Sequence, residues 1–291
     1  MTSSSARVDA PAGAYVDLHA HSTASDGSKA PMAVVAAARA AGLAAIALTD
    51  HDTTAGIDEA VEAGRGLGIR VIPGVELSAM EAEREIHVLA LHLARIDAIE
   101  GALRGFRDGR IARAEQIVAK LNALGVPITM DAVLAQAAGG AVGRPHVARA
   151  LINEAWARDS RDAFDRYLGA GKPAYVPKVR LSVAEAIELA HAGGGLAILA
   201  HPGPEGRRET IERYAALGLD GVEVRHPGHS NEDIARIGTL VDFFGLVPSG
   251  GSDWHGASDG PRVLGAMRIP ADWLARQDAR VAERRASQQV A

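Results

Sequence analysis

Residues 15–52 read YVDLHAHSTASDGSKAPMAVVAAARAAGLAAIALTDHD. The stretch carries Asp17, His19, His21, Asp26, Asp50, His51 and Asp52 on two apolar segments separated by one helical pattern. Side chains alternate across a strand, so Asp17, His19 and His21 face the same way and bring their polar groups toward one point. Imidazole and carboxylate converging at strand ends are the donors of a metal pair. Four later segments repeat an apolar run that reaches a ligand-type residue. VIPGVE ends at Glu76, IHVLAL contains His87, LAILAH ends at His201, and LVPSGGSDWH carries Asp253 and His255. We read these as the remaining ligands of the same site.

The punctuation between these ends is that of alternating strands and helices. Ser25-Asp26-Gly27 has turn chemistry, Pro31 suits a first helical turn, and a small-residue helix closes at Gly42. The segment AAIALT reads as a buried strand, followed by a helix near 55–67 and a strand near 70–76. This alternation implies a parallel sheet or barrel with helices outside and chemistry at the carboxyl ends of the strands. After a strand at 86–91, apolar residues over 97–172 recur at helical spacing, with helices expected near 130–138, 144–154 and 159–168. Alternation then resumes with helices near 183–191, 208–217 and 232–244, strands near 196–200, 221–225 and 246–249, and a last short strand within 263–269. The expected organisation is a discontinuous barrel over 14–96 and 173–275, interrupted by a helical cap at 97–172. Residues 1–13 read as a loose leader and 276–291 as a polar, fraying tail.

Composition narrows the chemistry. A chain of 291 residues, 47% hydrophobic and 23% charged, buries a large globular core. The absence of cysteine excludes disulfides, thiolate nucleophiles and cysteine-type zinc sites. A formal charge of −5 means that an anionic substrate must be attracted locally rather than by the whole surface. No run approaches a membrane span and no signal core begins the chain, so a soluble cytoplasmic protein without membrane attachment is expected. Nothing in the sequence marks a stable protein partner.

Taken together, DLHAHSTASDG, LTDHD, GVELS, IHVLAL, ILAHPG and SGGSDWH resemble the ordered motifs of the polymerase and histidinol phosphatase (PHP) family. The resemblance covers about residues 15–91 and 181–267 and implies a distorted (β/α)7 barrel with an inserted helical subdomain. It further implies up to three divalent ions. His19, His21, Glu76 and Asp253 would hold the first, Glu76 would bridge to a second completed by His87 and His201, and Asp26, His51 and His255 would hold a third. Mn2+ leads the expectation, ahead of Mg2+, Zn2+ or Fe2+. Within the family, the insertion with GRPHVARAL and AYVPK is most similar to nucleoside 3′,5′-bisphosphate phosphatases, some of which degrade short RNA from the 5′ end.

Three divalent ions set against Asp26, Glu76 and Asp253 leave a pocket of about +3, suited to a phosphate dianion and a hydroxide. A hydroxide bridging two metals is the expected nucleophile, attacking the phosphorus in line. His255, His51 or a metal-bound water would protonate the leaving oxygen. We read Asp17, Asp50 and Asp52 as fixing imidazole tautomers, with helix capping an equal alternative for Asp50 and Asp52. Arg144, His146, Lys178, Arg225 and His229 are the cationic candidates for substrate phosphate, against ordinary surface roles for Arg144, Lys178 and Arg225. His226, His92 and His191 are assigned to structure or surface.

The expected activity is removal of phosphate from a nucleoside 3′,5′-bisphosphate, with 5′–3′ exoribonuclease action on short RNA as an extension. Histidinol phosphatase and a nonenzymatic PHP module are the competing readings. Only Trp156, Trp254 and Trp273 supply indoles, which argues against a long base-stacking platform.

Overall fold

The computed structural model describes residues 14–82, 84–137, 142–177 and 181–290. The chain forms two compact units, Met1–Glu100 with Leu181–Ala291, and Gly101–Arg180. In chain order the elements are β1 (Tyr15–Asp17), α1 (Pro31–Ala40), β2 (Ala45–Leu48), α2 (Ile57–Leu67), β3 (Arg70–Glu81), β4 (Arg84–Leu91) and α3 (Ile96–Ala123). There follow α4 (Met130–Ala137), α5 (Arg144–Asn153) and α6 (Ser160–Ala163), the last running into a π-helical turn, Phe164–Leu168. The chain continues through β5 (Leu181–Ser182), α7 (Val183–Ala192), β6 (Leu196–Leu199), α8 (Arg208–Ala216), β7 (Gly221–Arg225), α9 (Asn231–Phe243), β8 (Val247–Gly250), β9 (Ile269–Pro270) and α10 (Ala271–Val290).

The strands of the larger unit form one sheet in the order β8-β7-β6-β4-β3-β2-β1-β9, with β5 beside β3. The amide of Leu18 donates to Gly250 O at 3.1 Å and that of His21 to Trp254 O at 2.8 Å, so the β1 and β8 ends meet. The sheet is therefore a nearly closed barrel, in agreement with the barrel expected. Its filling is apolar: Val16, Leu18, Ile72, Leu89, Leu196, Ile198 and Val247 form one buried cluster. Closure needs glycine at 251, where a Cβ would stand 2.5 Å from the His19 backbone N and Cβ. Helix ends follow their sequence signals. Pro31 opens α1, Gly68 closes α2 at φ +66°, and Ser182 with Glu185 forms a capping box on α7.

Three features differ from the sequence expectation. Strand β4 runs antiparallel to both β3 and β6. Glu81 and Arg84 are paired at the end of a tight hairpin, and so short a connection cannot cross over to a parallel neighbour. The hairpin also carries β3 five residues beyond Glu76, and His87, early on the returning strand, lies opposite Ser78. The strand expected within 263–269 is a series of turns ending in the short β9, antiparallel to β1.

The third difference is at 276–291, read as a polar fraying tail. Residues to Val290 lie in α10, and Leu274, Gln277 and Val281 are buried, the two apolar ones within the barrel cluster. Gln277 Nε2 donates to Pro248 O at 2.8 Å, and Asp278 receives a two-pronged ion pair from Arg70 at 2.6 and 2.7 Å. An arginine-rich helix with one narrow inward stripe looks polar by composition yet packs by position. The leader at 1–13 lies outside the described residues.

The smaller unit has helices and no strand among its described residues and has its own core, including Ile117, Leu121, Val133, Val147, Leu151 and Leu168. Arg113 is buried there and donates to Val176 O at 2.8 Å.

Candidate metal centre

The carboxyl ends of the barrel strands, with the start of β4, bring nine ligand-type side chains together. His19 and His21 follow β1, Asp26 stands on the next turn, His51 follows β2, and Glu76 and His87 come from the β3–β4 hairpin. His201 follows β6, and Asp253 and His255 follow β8. Among the described residues, three groups of donors lie close enough to hold an ion each: His19, His21, Glu76 and Asp253; His51, Glu76 and His87; and His21, Asp26, His51 and His255.

Glu76 belongs to the first two groups. Its Oε2 lies 3.0 Å from His19 Nε2, 3.1 Å from His21 Nε2 and 3.4 Å from His51 Nδ1, while Oε1 lies 2.8 Å from His87 Nδ1 and 3.0 Å from His201 Nε2, a residue outside the three groups. The carboxylate thus faces His19 and His21 with one oxygen and His87 and His201 with the other, as a bridging ligand would, with His51 on the Oε2 side. Asp253 Oδ1 completes the first side at 3.5 Å from His19 Nε2 and 3.2 Å from His21 Nε2. On the outer side, Asp26 Oδ1 lies 3.1 Å from His255 Nε2, and Asp26 Oδ2 lies 3.9 Å from His51 Nε2. A neutral imidazole has one lone pair, so His21, which faces two groups, serves one of them at a time.

The surrounding hydrogen bonds fix the ring tautomers. Glu223, fully buried on β7, accepts His19 Nδ1–H at 3.0 Å and the His201 amide at 2.7 Å, leaving His19 Nε2 as the ligand nitrogen. His255 Nδ1–H is taken by Asp253 O at 2.9 Å, which frees its Nε2 toward Asp26. His226 accepts the Gly228 amide on Nδ1, so Nε2 carries the proton and faces Asp253 Oδ2 at 3.4 Å. His226 is therefore buried beside the centre, with a bonding role in it.

Glu223 was not singled out in the sequence. Its signal was a carboxylate in the middle of the buried strand GVEVR, where an unpaired charge would be costly.

Asp17 and Asp50 bind backbone and hydroxyl groups rather than the imidazoles whose tautomers they were expected to fix. Asp17 accepts the amides of Ser252 at 2.9 Å and Gly265 at 3.0 Å, and burial pushes its carboxyl up. Asp50 accepts the Ser22 amide and hydroxyl, both at 2.7 Å, and the Ser25 hydroxyl at 2.6 Å, shaping the turn that carries Asp26. Asp52 accepts the Ser78 amide at 2.8 Å. None of them caps α2, whose N-cap is Gly56 without a side-chain bond.

The fit to divalent cations rests on charge and on strain. Burial alone would raise the Glu76 carboxyl, but His19, His201 and His21 hold it well below the usual carboxylate range. Burial likewise opposes protonation of His87, yet bonds from Glu76 and Glu85 lift its pKa to about 10. The buried carboxylates therefore demand positive charge, which protons or metal ions can supply. The fully buried His21 Nδ1 has no hydrogen-bond partner, and Asp26 Oδ1 stands 3.7 Å away. His201 and Asp253 also hold left-handed backbone, at φ +29° and +52°, a strain of about 1–3 kcal/mol each where ligands are offered.

The expected phosphate-binding residues fare unevenly. Arg225 donates to Arg268 O at 2.7 Å and lies over the Trp273 ring, and His229 spends both ring nitrogens on backbone, at Val224 O and the Gly203 amide. Both are thereby tied to the barrel wall. In the helical unit, Arg144 donates to Leu168 O and lies 5.6 and 5.5 Å from the Phe164 and Tyr175 ring centres, and His146 accepts the Gly143 amide. Lys178 lies outside the described residues. Sequence reasoning missed Arg262, which donates to Asp253 Oδ2. A cleft opens beside His87 and His201, walled by Ile86, Thr210, Tyr214 and the Arg84–Glu205 ion pair at 2.9 Å. No helix among the described residues is long and apolar enough to cross a membrane.

The barrel and its ring of donors define the class to which known proteins also assign the chain. Residues 17–171 match the PHP domain model. The chain is 36% identical over 259 residues to a 3′,5′-nucleoside bisphosphate phosphatase of Chromobacterium violaceum, covering 87% of this chain and 91% of that protein. It is 39% identical to a 5′-3′ exoribonuclease of Haemophilus influenzae, covering 82% and 89% respectively. A structure from Bifidobacterium adolescentis, assigned as a metal-dependent phosphoesterase, superposes with a TM-score of 0.72 at 33% identity, over 93% of this chain and 98% of that one. The chain belongs to the PHP domain family.

Proposed function

We propose that this PHP-family phosphoesterase removes the 3′-phosphate of nucleoside 3′,5′-bisphosphates, adenosine 3′,5′-bisphosphate among them, leaving a nucleoside 5′-monophosphate. The observation that carries hydrolysis is the Glu76 carboxylate, one oxygen on His19 and His21 and the other on His87 and His201. Similarity to the Chromobacterium violaceum phosphatase supports the substrate. His19, His21, Glu76 and Asp253 would hold one divalent ion, Glu76, His87 and His201 a second, and Asp26, His51 and His255 a third, with Mn2+ the leading candidate. Such ions supply Lewis acidity and lower the pKa of water.

The chain's own groups do the rest. Glu223 and the Asp253 carbonyl hold His19 and His255 in the tautomers that present Nε2. His51 and His255, partly exposed at the mouth, are our candidates for protonating the leaving oxygen. Arg144, His146 and Lys178 are retained as candidates for the second phosphate.

A 5′–3′ exoribonuclease activity on short RNA is the second reading, favoured by 39% identity to the Haemophilus influenzae enzyme. The test is a phosphate-release screen with Mn2+, Mg2+ and Zn2+ over nucleoside mono- and bisphosphates, histidinol phosphate and 5′-phosphorylated oligoribonucleotides. Fastest release from the bisphosphate supports the proposal. Mononucleotide release from oligomers without bisphosphate turnover would replace it with the second reading.

A further inference from the structure

Arg262 lies on the turn-rich segment between β8 and β9. Its Nη1 donates to Asp253 Oδ2 and, at 3.3 Å, to the Asp253 carbonyl. That carbonyl also accepts His255 Nδ1–H, so the guanidinium is fixed against the backbone that presents two candidate ligands. Asp253 turns Oδ1 inward to His19 and His21 and Oδ2 outward to Arg262 and His226.

Asp17 holds the segment in place. Its buried carboxylate accepts the amides of Ser252 and Gly265, on either side of Arg262, with one oxygen each. The loop bearing the arginine is therefore clamped at both ends on β1.

Both bonds of Arg262 use Nη1. Its Nε and Nη2 donors have no hydrogen-bond partner among the described residues, and 47% of the side chain is exposed at the mouth of the centre. An ion pair this exposed adds little to stability, so a purely structural reason for the arginine is weak. A planar fork with free donors beside a metal centre matches the paired oxygens of a phosphate.

We propose that Arg262 grips the phosphate held at the metal centre, anchored through Nη1 on Asp253 and offering Nε and Nη2 to phosphate oxygens. It would favour a doubly charged phosphate monoester over neutral or singly charged esters. The inference rests on the phosphoesterase reading above and deepens it.

The test is titration of inorganic phosphate into full-length, Mn2+-loaded wild type, Arg262→Ala and Arg262→Lys by calorimetry, with Mn2+ binding to each followed by electron paramagnetic resonance. Loss of a charge-assisted pair is expected to weaken phosphate binding ~10- to 100-fold in Arg262→Ala, with Lys restoring part of it and Mn2+ affinity kept. Wild-type phosphate affinity in Arg262→Ala would overturn the proposal while leaving the phosphoesterase reading intact. So would a loss of Mn2+ large enough to account for all the weakening, since Arg262 would then only prop Asp253. Failure of the wild type itself to bind phosphate when metal-loaded would overturn the underlying reading.

Discussion

Replacing Glu223 with glutamine tests the hydrogen-bond frame behind the centre with almost no change of shape. The carboxylate takes His19 Nδ1–H on Oε1 at 3.0 Å and the His201 amide on Oε2 at 2.7 Å. A glutamine has one acceptor oxygen and one NH2, so one of these two buried donors must face another donor. If the NH2 faces His19, the ring keeps its tautomer and loses its bond, or shifts the proton to Nε2. The second course removes the lone pair from the nitrogen that lies 3.0 Å from Glu76 Oε2. A hydrogen bond to a charged group contributes about 1.5–3 kcal/mol, which is ~10- to 100-fold in an equilibrium constant. Outer partners of metal ligands show the same range. Competition of wild type and Glu223→Gln against a fluorescent chelator for Mn2+ measures the effect, with circular dichroism confirming the fold. A folded variant that binds Mn2+ as tightly as wild type would refute the role given to Glu223.

Other substitutions separate the centre from its scaffold. Glu76→Gln should lower the bound-metal stoichiometry on both sides of the carboxylate and abolish turnover, which metal analysis after gel filtration will show. His229→Ala removes two ring bonds to backbone and should cost about 1–3 kcal/mol in urea unfolding with little change in KM. A selective rise in KM would return His229 to the substrate site. His92 is buried, and that burial lowers its pKa to about 4 although Gln277 and Asp278 pull the other way. Between pH 4 and 6.5 the unfolded chain binds a proton there that the folded chain refuses, so stability should rise with pH across that window by about 3 kcal/mol. His92→Asn, which tolerates the φ of +62°, should flatten that slope in urea titrations at pH 5 and 7. Truncation after Ala275 deletes Gln277, Asp278 and Val281 and is expected to prevent folding, as judged by loss of a cooperative thermal transition.

The barrel and its donor residues were legible because His19 and His21 follow the period of two and donor types recur in short motifs at the ends of β1, β2, β6 and β8 and on the β3–β4 hairpin. What escaped was what depends on partners distant in sequence. Glu223 meets His19 across 204 positions, and neither strand alone announces the pair. Asp17 shares the spacing of His19 and His21, yet its carboxylate turns to the amides of Ser252 and Gly265, which no periodicity reveals. The direction of β4 was hidden because residues 82–83 do not read as a turn, although the missing helix before IHVLAL was itself the sign of a hairpin. Composition misled at α10, where among the described residues the buried positions are Leu274, Gln277 and Val281, set among arginines. For Arg225 and His229, sequence shows charge without showing that Arg225 serves the Arg268 carbonyl and His229 the Val224 carbonyl.

The most direct test of the proposed activity follows adenosine 3′,5′-bisphosphate with Mn2+-loaded protein by phosphorus NMR. The expected result is loss of the 3′-phosphate resonance with growth of inorganic phosphate and adenosine 5′-monophosphate, abolished by a chelator and restored by Mn2+. Persistence of the bisphosphate under conditions where the metals are bound, or release of the 5′-phosphate instead, would contradict it.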